Sequence, residues 1–325
     1  APLLAAVGSA RRLELALAVA PAADGAENVV RLTAAVDGSA HGTRWAGLLT
    51  AAGDARLPSA PPGSVAQIAF GRSVGALLRA PAEYLGSGEQ LALQSFLSIA
   101  DAIDGPQTSF TADLVGGLAE PWVLTVLGPV AGEGPHSPLV LPRFALSAGI
   151  ADAEVETVLR RAAQVFAVIA NGQRAQQRKL PFVVRNARTA HGRGLVAEPP
   201  VWRGPGLPPV EDALTPALLF GAGHAVLAST LDAAEAVLAA LAQGRPAPGG
   251  GDHIRIDGGA VASALAANRG PLELGRMLDE GDSASEAARF VDIVLAVAAA
   301  TARLELAIDY GDGATTLRLE LERRR

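Results

Sequence analysis

Residues 301–322 read TARLELAIDYGDGATTLRLELE, and their alternation decides the fold class. Leu304, Leu306, Ile308 and Tyr310 alternate with Arg303, Glu305, Ala307 and Asp309. Past Gly311-Asp312-Gly313, Leu317, Leu319 and Leu321 alternate with Arg318, Glu320 and Glu322. A period of two on either side of a Gly-Asp-Gly turn predicts an antiparallel hairpin with one apolar and one polar face. The other end of the chain repeats the pattern. Leu13, Leu15, Leu17 and Val19 alternate, Asp24-Gly25 marks a turn, and Val30, Leu32, Ala34 and Val36 alternate again. The words ARRLELALAV (10–19) and TARLELAIDY (301–310) are alike.

Between the hairpins lie helices with readable ends. Ser283 and Glu286 form a capping-box pattern ahead of Phe290, Ile293, Val294 and Val297. Ser87 and Gln90 stand likewise before Leu93, Phe96, Ile99 and Ile103, with the strand-like TSFTADLVGG after them. Helix-then-strand thus recurs, which predicts an internal pseudo-repeat. From Asp152 to Asn171 an apolar stripe runs through Val155, Leu159, Ala162, Phe166 and Ile169, with Gly172 read as the C-cap. A short helix spans Asp232–Gln243 and stops at Gly244. The stretch 213–231 carries no charge after Asp212 and is nearly long enough to cross a bilayer. Pro216, Gly221 and Gly223 break it, so GAGH (221–224) reads as a turn between two strands and no segment reads as a transmembrane helix. The expected class is α+β: a largely antiparallel sheet of hairpins with amphipathic helices packed on one face. The expected lobes are 1–175 and 176–325, or one continuous domain.

Composition narrows the function. The chain has 325 residues, half of them hydrophobic and 4% aromatic, so its core is built from Ala, Val, Leu and Ile. A net charge of −6 argues against a general nucleic-acid binder. The absence of cysteine excludes disulfides, thiolate metal sites and a Cys nucleophile. The first residues, APLLAAVGSA, lack the basic region of an intact signal peptide, and the opening Ala1 suggests a processed N-terminus.

Three features could carry chemistry. Gly71-Arg72-Ser73-Val74-Gly75 follows the apolar VAQIAF and matches the G-x-S-x-G turn that exposes a nucleophilic serine, making Ser73 the catalytic candidate. No acid and histidine follow in a pattern that selects them, and IRIDGGAVASAL (254–265) looks like a second copy with Ala260 in the serine's place, which points to a structural turn. Second, Arg174, Arg178, Lys179, Arg185, Arg188 and Arg193 fall in a stretch without an acid, a basic strip suited to an anionic ligand or an acidic partner. Third, Trp202 in PPVWRGPG is an anchor candidate for a partner. Asp252, His253 and Asp257 cluster without a metal-ligand spacing, and no metal or cofactor is expected.

From Phe110 onward the order of elements resembles an uncharacterised family of exported bacterial proteins with a domain of unknown function. The resemblance rests on Asp113-Leu114 leading into GLAEPWVLTVLG, on PLVLPRFALSAG with the helix after Asp152, on GHAVLAST (223–230), and on the closing helix and hairpin. It implies export, to the periplasm or outside the cell, although a cytoplasmic protein can equally lack cysteine. It supplies no activity and no site residue. The resulting expectation is a non-catalytic protein with a binding, assembly or envelope-associated role, working through a protein partner or a second copy. The alternatives are a serine hydrolase using the GRSVG turn and a carrier of a small apolar ligand.

Overall fold

The structure is a computed structural model that describes residues 12–20, 29–37, 58–70, 85–104, 117–129, 140–200, 214–244, 252–311 and 314–323. Its strands are β1 (Arg12–Ala20), β2 (Val29–Asp37), β3 (Ser64–Phe70), β4 (Leu118–Leu127), β5 (Arg143–Ile150), β6 (Val183–Arg188), β7 (Arg193–Glu198), β8 (Ala217–Gly221), β9 (His224–Ala228), β10 (Asp252–Asp257), β11 (Thr301–Gly311) and β12 (Ala314–Arg323). The helices among the described residues are α1 (Ser87–Asp104), α2 (Ala153–Gln176), α3 (Leu231–Ala242), α4 (Gly258–Ala267), α5 (Arg269–Asp279) and α6 (Ala284–Ala300).

All twelve strands join one sheet, in the order β1-β2-β12-β11-β10-β3-β4-β5-β9-β8-β7-β6, and every pairing is antiparallel. The α+β class read from alternation is what the chain adopts. The two terminal hairpins are neighbours, because β2 pairs with β12 through Leu32 opposite Leu319. A division at residue 175 does not part the sheet: β10–β12 lie between β2 and β3, so strands from the two halves interleave.

Register converts the sequence alternation into two distinct faces. One row runs Leu17, Leu32, Leu319, Leu306, Ile254, Ile68, Leu124, Leu146, Leu227, Leu218, Leu195, a leucine or isoleucine at every strand from β1 to β7. The opposite face changes character along its length. Its row passes from Glu320, Glu305 and Arg255 through Gln67 and Thr125 to Ala145, Ala228 and Ala217.

The helices do not all share one face, contrary to expectation. α3 packs on the small-residue end, where Val237 and Leu238 close a core with Leu127, Leu219 and Val226. α2 packs on the leucine face, through Leu159 and Ala163 against Leu218, Phe220 and Ala225. Successive residues of β8 therefore serve different helices, Leu218 under α2 and Leu219 under α3, because adjacent side chains on a strand point to opposite sides. β8 reads as an apolar run because it is covered on both sides, and β9 is buried likewise except at Leu227.

Local chemistry sets the ends. The GAGH turn forms as read: Ala222 and Gly223 both have positive φ (50° and 73°), the two-residue turn whose twist suits a hairpin. Ser283 and Glu286 make the reciprocal capping box at the start of α6. α2, however, runs through Gly172 to Gln176. It ends where Arg178 takes φ 58° and Lys179 N–H reaches back to the Arg174 carbonyl at 2.8 Å. That is a Schellman closure with arginine in the position glycine usually holds.

Candidate functional site

α2 does not lie flush on the leucine face. Between them is a cavity of about 590 Å3, walled on the helix side by Leu159, Ala163, Phe166 and Ala167. The sheet side contributes Trp122, Leu146, Leu218 and Leu227. Alanines make up most of the inward helix face, and their short side chains leave the space that larger residues would fill. Trp122 shares this face with Leu124 by simple alternation, its register against β3 unbroken, while the pairing of β4 with β5 is irregular between Ala119 and Val123, around Pro121, which has no N–H to give the ladder. The clearest sign of unfilled volume is Leu227. It sits in β9 with β5 and β8 on either side, yet it is 53% exposed, and Phe166 across from it is 38% exposed. The only side-chain hydroxyl among the lining residues is Ser147, which donates to the Val123 carbonyl at 3.4 Å.

A second, more polar space of about 360 Å3 shares Ala167, Val184 and Leu195 with the first and opens toward β6. Its polar lining is Gln164, Asn171, Arg185 and Asn186. Asn171 is occupied, since its Nδ2 donates to the Phe182 carbonyl and its Oδ1 accepts from the Phe182 N–H. The side chains of Gln164 and Asn186 make no hydrogen bond among the described residues.

The basic strip is taken apart by the fold. Arg174 is 7% exposed, its Nε donates to the Leu180 carbonyl at 2.6 Å, and its guanidinium lies over the Phe182 ring. Arg178 closes the end of α2, with Lys179 next to it. Arg185, opposite Val196 in register, borders the outer space and pairs with Glu198 at 3.1 Å. Arg193 reaches Glu156 at 3.4 Å. Arg188 is exposed and has no partner among the described residues. The acids that the stretch itself lacks come from α2 and β7, so the six charges form no continuous patch. Ser73, Trp202 and the strand-like TSFTADLVGG lie outside the described residues.

A charged group on the opposite face is structural in its geometry. Glu305 takes Arg255 at 2.7 Å and Arg303 at 3.4 Å, with His253 Nε2 at 3.7 Å, an ion-pair rather than a hydrogen-bond distance. His253, Arg255 and Arg303 together hold the Glu305 carboxyl down to about 2. Among the described residues no cluster of His, Asp and Glu has the geometry to hold a metal ion, and no helix is long and apolar enough to cross a membrane.

Sequence reading missed Leu227, Phe166 and Glu156 as site residues, because an apolar stripe looks the same whether its face is filled or hollow. Comparison with family models, with curated proteins and with solved structures finds no match to this chain.

Proposed function

We propose that the protein binds and carries a small apolar molecule, of the acyl-chain type, between α2 and the leucine face of its sheet. The observation that carries this reading is Leu227, a leucine in an interior strand left half exposed toward a cavity of about 590 Å3. That volume falls within the range of roughly 300–1,000 Å3 usual for small-molecule sites. Each methylene transferred from water into such a space contributes about 0.8 kcal/mol, which offsets the association and ordering costs once a chain is several carbons long. The lining offers no titratable side chain among the described residues, and this favours binding over catalysis.

Two measurements test the reading. Organic extraction of the purified protein followed by mass spectrometry should recover an apolar molecule in near-stoichiometric amount. The neutral fluorophore N-phenylnaphthylamine should bind the stripped protein with a blue shift and enhanced emission, and Ala167→Trp, which fills the shared wall of both spaces, should abolish that response while leaving the circular dichroism spectrum unchanged. Absence of fluorophore binding by the stripped protein, or full binding by a folded Ala167→Trp, sinks it.

A further inference from the structure

Resting on the proposed apolar site, we infer that the ligand is a single-chain amphiphile with an anionic headgroup, whose carboxylate or phosphate oxygens are held by Arg188 and Arg193 at the rim of the cavity. Arg188 and Arg193 stand directly opposite each other across β6 and β7. Like charges in that relation destabilise a sheet unless something of opposite sign lies between them. The carboxylate that reaches this pair is Glu156, whose Oε1 is shared between Arg160 Nε at 3.0 Å and Arg193 Nε at 3.4 Å, while Glu235 of α3, beside the same turn, accepts from the His191 N–H at 3.2 Å. Glu156 thus serves two guanidinium groups, and Arg188, with no ion-pair partner among the described residues, is left facing solvent.

These arginines are tied to the walls of the two spaces. Arg193 is one pleat from Leu195, which lines both, and Arg188 is one pleat from Asn186, which lines the outer one. By register Arg188 shares the face of Asn186 and Val184, the face that α2 covers. The Arg160 guanidinium lies 5.2 Å from the centre of the Phe220 ring, and Phe220 packs with Leu218 and Leu159 at the head of the apolar cavity. An acyl chain seated against Leu227 and Phe166 can pass the Ala167–Leu195 wall into the outer space, where the amides of Gln164 and Asn186 are free to hydrogen-bond. Its charged end then comes within reach of a planar guanidinium, which matches two oxygens of a carboxylate or phosphate at once. Arg185 also borders the outer space, but its guanidinium is already held by Glu198 at 3.1 Å.

The test displaces N-phenylnaphthylamine from the stripped protein with three amphiphiles of the same chain: palmitate, palmitoyl lysophosphatidate and the neutral monopalmitoylglycerol. At low salt at least one anionic competitor should act at about tenfold lower concentration than the neutral one, the effect expected of a charge-assisted contact. Arg188→Gln, at an exposed position without a partner, should remove most of that preference and leave displacement by monopalmitoylglycerol unchanged. Whether palmitate or lysophosphatidate is the stronger competitor distinguishes a carboxylate from a phosphate headgroup. Equal competition by all three, or an anion preference that survives in Arg188→Gln, overturns the inference while the apolar site stands. Failure of the fluorophore to bind at all overturns the apolar site itself.

Discussion

Arg174 lies over the ring of Phe182, with its guanidinium 4.3 Å from the ring centre, so a residue whose charge suggests a binding surface instead pins the end of α2 to the start of β6. The burial that makes this contact worth having also removes Arg174 from any ligand. Replacing it with alanine should lower stability by about 2–3 kcal/mol, from loss of the stacked cation and an unsatisfied Leu180 carbonyl. Arg174→Lys should recover less than half of that, because an ammonium has neither the planar face nor the Nε donor. Urea unfolding of the three proteins decides it: an alanine variant as stable as the parent shows that the contact contributes nothing.

Arg178 occupies a left-handed backbone position that costs a side-chain-bearing residue about 1 kcal/mol. Arg178→Gly should therefore raise stability by about 0.5–1 kcal/mol, less whatever glycine adds to the entropy of the unfolded chain. A fall in the midpoint of thermal unfolding would mean that the side chain contributes more than the conformation costs.

Glu305 titrates near 2 in the folded protein, against an ordinary value of 4.5, because His253, Arg255 and Arg303 favour its ionised form. A carboxyl with a depressed folded value contributes stability that is present above its unfolded value and is lost as pH falls toward the folded one. After allowance for solvent screening this contribution is about 1–2 kcal/mol, lost between roughly pH 5 and 2. Glu305→Gln should flatten the stability profile over that window relative to the parent, and parallel profiles would contradict the assignment.

Leu227 and Leu219 are both leucines of adjacent interior strands, and they should respond differently to truncation. Leu219 is wholly buried under α3, so Leu219→Ala should cost about 3–4 kcal/mol. Leu227 faces the cavity, so Leu227→Ala should cost less than about 1 kcal/mol in the stripped protein while weakening fluorophore binding. Equal costs would mean that the space beneath α2 is closed in solution.

Much of the architecture was legible residue by residue. The hairpins at 12–37 and 301–323, the GAGH turn and the Ser283 capping box all declare themselves, since each depends on partners within a few residues along the chain. The end of α2 was misread at Gly172 because a glycine with open space around it imposes no stop. The hydrogen bonds that do stop the helix involve Arg174, Ala175, Arg178 and Lys179, none of which is a usual terminating residue.

The amino-acid sequence by itself determined the class of fold, the alternation that gives the sheet an apolar face, and the excess of arginine between 174 and 193. Only the tertiary structure decided that the terminal hairpins adjoin, that α2 and α3 take opposite faces, and that Glu156 and Glu198 neutralise some arginines while Arg174 is buried among its own neighbours. The reason is one of range. Periodicity and turn chemistry act over a few residues, whereas strand order, the partner of a charge and the hollow beneath an alanine-faced helix depend on which distant segments come to lie side by side.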